Sequence, residues 1–355
     1  MSKPPYRSQR ENPSERRRRG AAVEPIDARP AEEVIPWQRP PDVSPAAMPG
    51  IVVRAFGKFF AVQLRDEPRQ LLSTVKGTLK RERRRTDLVA VGDRVWVVDV
   101  GEGEGRIEAV EPRTRVLARA ARRAEEIEQV ILANPDQALF VFTVREPEPH
   151  RRMLDRFLVL AESRGLPAIV GVNKIDLDGP ADDGSGRLLS RAIFGDYESI
   201  YPVIYFSART GEGIERVAEM LRGKVTVVAG PSGVGKSSLL NALDPSGQRA
   251  VGEISAATGK GRHTTTATQL WRIGPDTYVA DTPGIRALAL HGVPPEMLDD
   301  CFPEFRPYLG QCFYPDCAHL QEPGCAVRDA VDEGAISRER YESYAALRRG
   351  EPDDE

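Results

Sequence analysis

The chain has 355 residues, a formal net charge of -3 and 40% hydrophobic residues, which is enough sequence for two or three domains. The near balance of charge excludes a molecule-wide field towards nucleic acid, so any such contact must come from local basic runs. No apolar run approaches the ~20 residues of a membrane span, and the arginine-rich N-terminus has no apolar signal core, so a soluble, cytoplasmic protein with no membrane partner is expected.

Residues 1–49 are rich in proline and contain Arg16-Arg17-Arg18-Arg19. Such a segment buries too little surface to offset its ordering entropy and reads as a disordered basic arm, serving either as a solubilising tail or as a non-specific attraction to RNA phosphates. From residue 50 the pattern changes. Strand-like runs at 51–56 and 59–64 flank Gly57-Lys58, a hairpin signal, and further runs follow at 71–76, 94–100 and 106–110. Five short strands in this length predict a small β-barrel over 50–112, with an OB-fold as the leading candidate. The basic run Lys80-Arg81-Glu82-Arg83-Arg84-Arg85 is at its plainest a solvated loop. Beside an exposed aromatic such as Phe59 or Phe60 it suits RNA, and RNA contact is the favoured reading. Residues 113–134 read as a charged, helix-compatible connector.

Beyond it, strands and helices alternate. Strands are expected at 137–144, 167–172, 202–206, 225–229 and 277–280, and helices at 151–164 and 213–221, giving a mostly parallel sheet covered on both faces. Gly230-Pro231-Ser232-Gly233-Val234-Gly235-Lys236-Ser237 fits the phosphate-loop pattern GxxxxGKS/T between a strand and a helix. Its glycines let backbone N–H groups turn towards a phosphate, and the helix N-terminus adds partial positive charge. Gly230, Ser232, Gly233, Val234, Gly235, Lys236, Ser237 and Ser238 form the expected cradle. Lys236 reaches the β/γ-phosphates, and Ser237 ligates Mg²⁺.

Asn173-Lys174-Ile175-Asp176 ends another expected strand. Guanine presents N1–H and an N2 amine, and the acceptor-only carboxylate of Asp176 takes both; adenine offers neither donor there. Lys174 lies along the base, Asn173 braces the loop, and Ser207-Ala208 supports the base edge. Asp281-Thr282-Pro283-Gly284 supplies a carboxylate for Mg²⁺ and a Gly284 N–H for the γ-phosphate. Gly259-Lys260-Gly261-Arg262-His263-Thr264-Thr265-Thr266 suits a mobile switch. One of its threonines, with Thr265 preferred, should ligate Mg²⁺ when the γ-phosphate is present. Ile285 stands where many GTPases carry a water-orienting glutamine, so His263 or a partner must take that role; His263 and Lys236 are the catalytic candidates. The guanine motifs precede the phosphate loop, so the sheet is expected to be circularly permuted. The DxxG switch then leads directly into the C-terminal region, to which γ-phosphate sensing is expected to pass.

Three of the four cysteines fall in Cys312–Cys325. With His319 they make C-x4-C-x-H-x5-C over Cys312, Cys317, His319 and Cys325, a donor set for one structural Zn²⁺. Cys301 lies outside the spacing and reads as a small core residue. Helices are expected at 327–332 and 337–349.

This set of motifs resembles the small-ribosomal-subunit-dependent GTPases, the RsgA/YjeQ family, over residues 50–350. It rests on permuted NKID, GPSGVGKSS, GRHTTT and DTPG, with the five-strand module before and the cysteine–histidine module after. The resemblance implies a late assembly factor of the small (30S) ribosomal subunit, with its OB-fold approaching rRNA near the decoding region and GTP hydrolysis stimulated by the subunit and driving release. It also implies that the histidine of GRHTTT is catalytic. The expected fold is therefore multidomain: a disordered arm at 1–49, an N-terminal OB-type β-barrel at 50–112 and a central α/β circularly permuted P-loop GTPase domain at 113–290. An α-helical zinc-binding domain at 291–350 and an acidic tail at 351–355 complete it. GTP and GDP, the small subunit and its rRNA are the expected partners of a monomer. The competing reading is a nucleotide-regulated RNA-binding module whose hydrolysis is incidental. A metabolic P-loop kinase would have no need of the guanine motif.

Overall fold

Five strands curl into a closed barrel: β1 (Met48–Phe56), β2 (Phe59–Leu64), β3 (Gln70–Val75), β4 (Arg94–Gly101) and β5 (Glu104–Val110), in the order β1-β2-β3-β5-β4. The β3–β5 pair is parallel and the others antiparallel. The computed structural model describes residues 37–77, 87–119, 129–244, 268–281 and 293–351. The arginine run at 16–19, the basic run at 80–85, the switch segment at 259–266 and residues 352–355 lie outside them.

Strand alternation fills the barrel. Val52, Val62, Leu71, Val95, Val97 and Ile107 are wholly buried, and their neighbours point outward. This separates the two candidate aromatics of β2. Phe59 is 49% exposed, whereas Phe60 is buried at 8% and belongs to the core; Phe56, paired across the hairpin with Phe59, is the second outward ring. Residues 37–49, expected as part of the arm, pack on the barrel instead. Val43 and Ala47 are buried against Trp96, and the carboxylates of Glu111 and Glu108 accept from the Trp37 and Ser44 backbone N–H groups.

The expected helical connector at 113–134 contains a ribbon, β6 (Val116–Arg119) antiparallel to β7 (Gln129–Ala133). Charge frequency suggested a helix, but Leu117, Ala118, Leu132 and Ala133 are buried, and burial decides. At the ribbon's root Arg113 makes a bidentate pair with Asp93, both bonds at 2.7 Å, with both side chains buried. Asp93 also accepts from the Ala90 N–H.

A six-stranded sheet follows: β8 (Gln137–Thr143), β9 (Ala168–Asn173), β10 (Val203–Tyr205), β11 (Val225–Ala229), β12 (Gln269–Gly274) and β13 (Thr277–Asp281), ordered β10-β9-β8-β11-β13-β12. All neighbours are parallel except β12, an antiparallel edge strand on β13. β8, β9 and β11 are buried at every position, as strands covered on both faces require. The β12–β13 hairpin also holds the barrel. Asp276 at its turn pairs with Arg65 at 3.2 Å, and Arg272 donates to the carbonyls of Arg65 and Glu67.

Barrel, ribbon and sheet, residues 37–150 and 164–281, form one compact unit; residues 151–163 and 293–351 form another. The helix α1 (Arg151–Ser163), expected within 113–290, thus groups with the C-terminal segment. Its Asp155 is wholly buried and pairs with Arg340 of the C-terminal helix, whose guanidinium also binds Glu304 at 2.7 Å and lies 4.6 Å over the Phe302 ring.

Removing one member of the Arg113–Asp93 pair leaves a buried charge without its partner. Asp93→Ala is expected to lower stability by ~3–5 kcal/mol, read by urea denaturation, and adding Arg113→Met should restore part of the loss.

Candidate nucleotide site and metal-binding loop

The phosphate loop joins β11 to the helix α4 (Lys236–Leu243), which follows α2 (Leu189–Phe194) and α3 (Ile214–Leu221) in the chain. Its sharp path needs glycine twice over. Gly230 has φ 151 and Gly235 φ 89. A Cβ at Gly230 would lie 2.1 Å from the Val141 carbonyl oxygen, and one at Gly235 would lie 2.4 Å from Asn173 Nδ2. Val234 is buried at 1% within the apolar cluster formed with α3 and α4 and pins the loop to the sheet, while Ser232, Gly233, Ser237 and Ser238 face solvent. Lys236 folds back so that Nζ donates to the carbonyls of Gly230 at 3.0 Å and Pro231 at 2.6 Å.

Asn173, at the end of β9, is 2% exposed, and both ends of its carboxamide are used. Nδ2 donates to the Val234 carbonyl at 2.8 Å. Oδ1 accepts from the Lys174 N–H at 2.7 Å and from the Ala208 N–H at 3.0 Å. One side chain therefore ties the phosphate loop to both guanine-type loops. Lys174 adopts a left-handed backbone with φ 62, and its Nζ donates to the Glu146 carbonyl. Asp176 is oriented from both sides: Ser207 Oγ donates to Oδ1, and Arg209 pairs with Oδ2 at 2.6 Å. The Ser207 hydrogen bond holds this carboxyl below its ordinary range against the opposing effect of burial, and Arg209 adds to the lowering.

The structure thus brings Asn173, Lys174, Asp176, Ser207 and Ala208 together with the phosphate loop. Asp281 closes β13, its backbone in register with Val228 on β11. His263, Thr265 and Gly284 lie outside the described residues. Sequence reasoning missed Arg209, although it directly follows Ser207-Ala208; the acidic partner across the loop was the signal.

The second cluster lies in the C-terminal unit. The ligand atoms of Cys312, Cys317, His319 and Cys325 all lie within 4.8 Å of one another. His319 Nδ1 is 3.5 Å from Cys312 Sγ and 3.4 Å from Cys325 Sγ, and those two sulfurs are 3.9 Å apart. A tetrahedral zinc with ordinary Zn–S and Zn–N bonds needs S···S near ~3.8 Å and S···N near ~3.6 Å, so the four residues could hold that ion. Asp299 stands behind the imidazole, with Oδ2 3.7 Å from Nε2. It orients His319 as carboxylates commonly do behind metal-binding histidines, and no local sequence pattern marks it. Glu322 accepts from the N–H groups of Ala318, Leu320 and Gln321. Burial opposes ionisation, yet these donors bring its pKa down to about 2. Tyr341 and Tyr344, on α6 (Arg338–Arg349) after α5 (Ala326–Asp332), donate to the carbonyls of His319 and Ala318. Cys301 is 3% exposed, as a core residue, and burial pushes its thiol up to about 12.

A parallel sheet with a phosphate loop on an inner strand, and a guanine bracket on strands earlier in the chain, defines a circularly permuted P-loop GTPase. The family model described as RsgA GTPase matches residues 110–291. A protein of Gemmatimonas aurantiaca described as small ribosomal subunit biogenesis GTPase RsgA is 42% identical over 302 residues, covering 84% of this chain and 96% of the relative. One of Chlorobaculum tepidum with the same description is 40% identical, with the same coverage of each chain. Among solved structures, YjeQ from Thermotoga maritima is similar at TM-score 0.68 and 36% identity, over 86% of this chain and 98% of that one. YloQ, described as a circularly permuted GTPase, is similar at TM-score 0.67 and 27% identity, over 89% of this chain and 100% of that one. The chain belongs to the RsgA GTPase family.

Gly235→Ala drives a methyl group into Asn173 at a left-handed φ. Binding of a fluorescent GDP analogue is expected to fall at least ~100-fold, the scale of a misplaced binding loop, with the circular dichroism spectrum unchanged.

Proposed function

We propose that this protein is a GTP hydrolase that acts in late assembly of the small ribosomal subunit, binding its rRNA and leaving on hydrolysis. The observation that carries the GTP assignment is the guanine bracket, in which Asn173 fastens the loop presenting Asp176 to the loop that cradles phosphates. The described names of the relatives support the small subunit as the partner.

In this reading Asp176 accepts from guanine N1–H and the N2 amine, and Ser207 and Arg209 aim its carboxylate. Arg209 must yield or slide along the base as guanine enters. Lys236 exchanges its two loop carbonyls for β/γ-phosphate oxygens. Ser237 and Asp281 would hold magnesium, with Thr265 as a further ligand in the GTP-bound state, and the Gly284 N–H would sense the γ-phosphate. Magnesium supplies charge neutralisation at the phosphates. His263 orients the attacking water, since Ile285 cannot; isolated turnover is therefore slow and the subunit accelerates it. Cys312, Cys317, His319 and Cys325 would hold one structural zinc. With four protein ligands, such an ion would be structural and would supply fold stability rather than chemistry.

On the barrel, Phe56 and Phe59 face outward side by side, and Arg54 lies 4.8 Å over the Phe56 ring. This is a stacking surface with a cation beside it, suited to unpaired RNA bases.

GTP turnover by the full chain should rise at least ~10-fold with purified small subunits and stay basal with free rRNA. Equal rates in all conditions would favour the RNA-binding module with incidental hydrolysis. Asp176→Asn offers an amide donor where guanine also donates. Its GTP affinity should fall by ~100-fold or more, and xanthosine triphosphate, whose 2-oxo group accepts, should bind better than GTP. Cys325→Ser should abolish the zinc found by elemental analysis and lower the melting temperature of the C-terminal unit, because metal binding is coupled to folding.

A further inference from the structure

The metal-binding loop carries a feature that neither nucleotide chemistry nor the metal site uses. Between the ligands Cys312 and Cys317 stand Phe313 and Tyr314, 78% and 42% exposed. Phe313 has the highest exposure among the large hydrophobic side chains described. The two rings meet edge to face, with centroids 5.0 Å apart and planes at 82°. The Phe313 N–H donates to the Gly324 carbonyl at 2.9 Å, and the Tyr314 carbonyl accepts from the Cys317 N–H. A Cβ at Gly324 would lie 3.0 Å from Phe313 Cβ, so the two ligand-bearing turns hold the pair from both sides. It is thus exposed apolar surface on a backbone fixed beside the metal site, and its ordering entropy is met during folding, before any partner arrives.

Charge selects the partner's class. From Gly310 to Val327 the sequence has two carboxylates, Asp316 and Glu322, and no lysine or arginine, in a chain with 50 basic residues. Asp316 and Pro315, beside the rings, are exposed. A loop that seats a nucleic acid needs cations for its phosphates; this stretch supplies none of its own, and Arg328, just beyond it, is engaged by the Glu322 carbonyl at 3.4 Å, whereas on the barrel Arg54 lies over the Phe56 ring. Aromatic rings with the exposed carboxylate of Asp316 beside them match the apolar pocket of a basic protein.

We propose that Phe313 and Tyr314 are a protein-docking anchor that inserts into an apolar pocket of a basic protein component of the small ribosomal subunit. This inference rests on the assembly function proposed above. The division of labour follows: the barrel reads RNA, and the metal loop reads protein.

The test uses the full-length protein with a GTP analogue that resists hydrolysis and purified small subunits. Phe313→Ala with Tyr314→Ala is expected to weaken co-sedimentation ~10- to 30-fold, the scale of an aromatic hot spot. Zinc content and turnover without subunits should not change. The salt dependence of binding should keep its slope, because no phosphate contact is lost. A photoreactive benzoylphenylalanine at position 313 should cross-link to one subunit protein, identified by mass spectrometry after nuclease digestion. A cross-link to rRNA, a shallower salt slope, or unchanged affinity of the double variant overturns the anchor while leaving the assembly function standing. Failure of the unmodified protein to co-sediment at all overturns both.

Discussion

The carboxamide of Asn173 is the constraint on which the nucleotide site depends. It is buried where the phosphate loop, the NKID turn and the Ser207-Ala208 loop converge, and it bonds to all three. A buried amide left with one unmet group costs ~1–3 kcal/mol, so the three loops are held in one arrangement or none. This explains why Gly235 must be glycine: the amide nitrogen occupies the space a Cβ would need. It also explains how a permuted chain can build an ordinary guanine site. The loops need to meet at one edge of the sheet, and their order along the chain is immaterial once the amide joins them.

The same logic places the barrel. β12 and β13 form a hairpin whose open end carries Gln269 opposite Asp281 and whose turn carries Asp276, paired with Arg65 of the barrel. The hairpin that ends at Asp281 is therefore in direct contact with the barrel that bears the outward rings. In the other unit, Arg340 plays the joining part. It is wholly buried, satisfied by Asp155 and Glu304, and stacked on Phe302, so α1 and α6 cannot separate without exposing unpaired charges.

Much of the site was legible in the residues because its chemistry is local. A phosphate loop needs glycines and a lysine at fixed spacing, a guanine reader needs a carboxylate, and a tetrahedral metal needs four soft donors close in sequence. The five barrel strands were legible through their period-two alternation. Less legible was anything that depends on a distant neighbour. Arg209 and Asp299 act through partners 33 and 20 residues away in sequence, respectively Asp176 and His319. The ribbon at β6–β7 is hidden by its charged surroundings, and residues 37–49 look like more of the arm until Trp96 is there to receive Val43 and Ala47.

The sequence by itself determined the permuted order of the motifs, which is read directly along the chain, and it supplied a carboxylate suited to guanine and a cysteine–histidine set that could hold a metal, because those suggestions follow from which atoms donate and accept. The tertiary structure decided which aromatic of Phe59 and Phe60 faces outward and which unit α1 joins. It also decided which backbone groups Asn173 satisfies. These are settled by burial and by contacts between segments far apart in the chain, where packing and desolvation outweigh local preference.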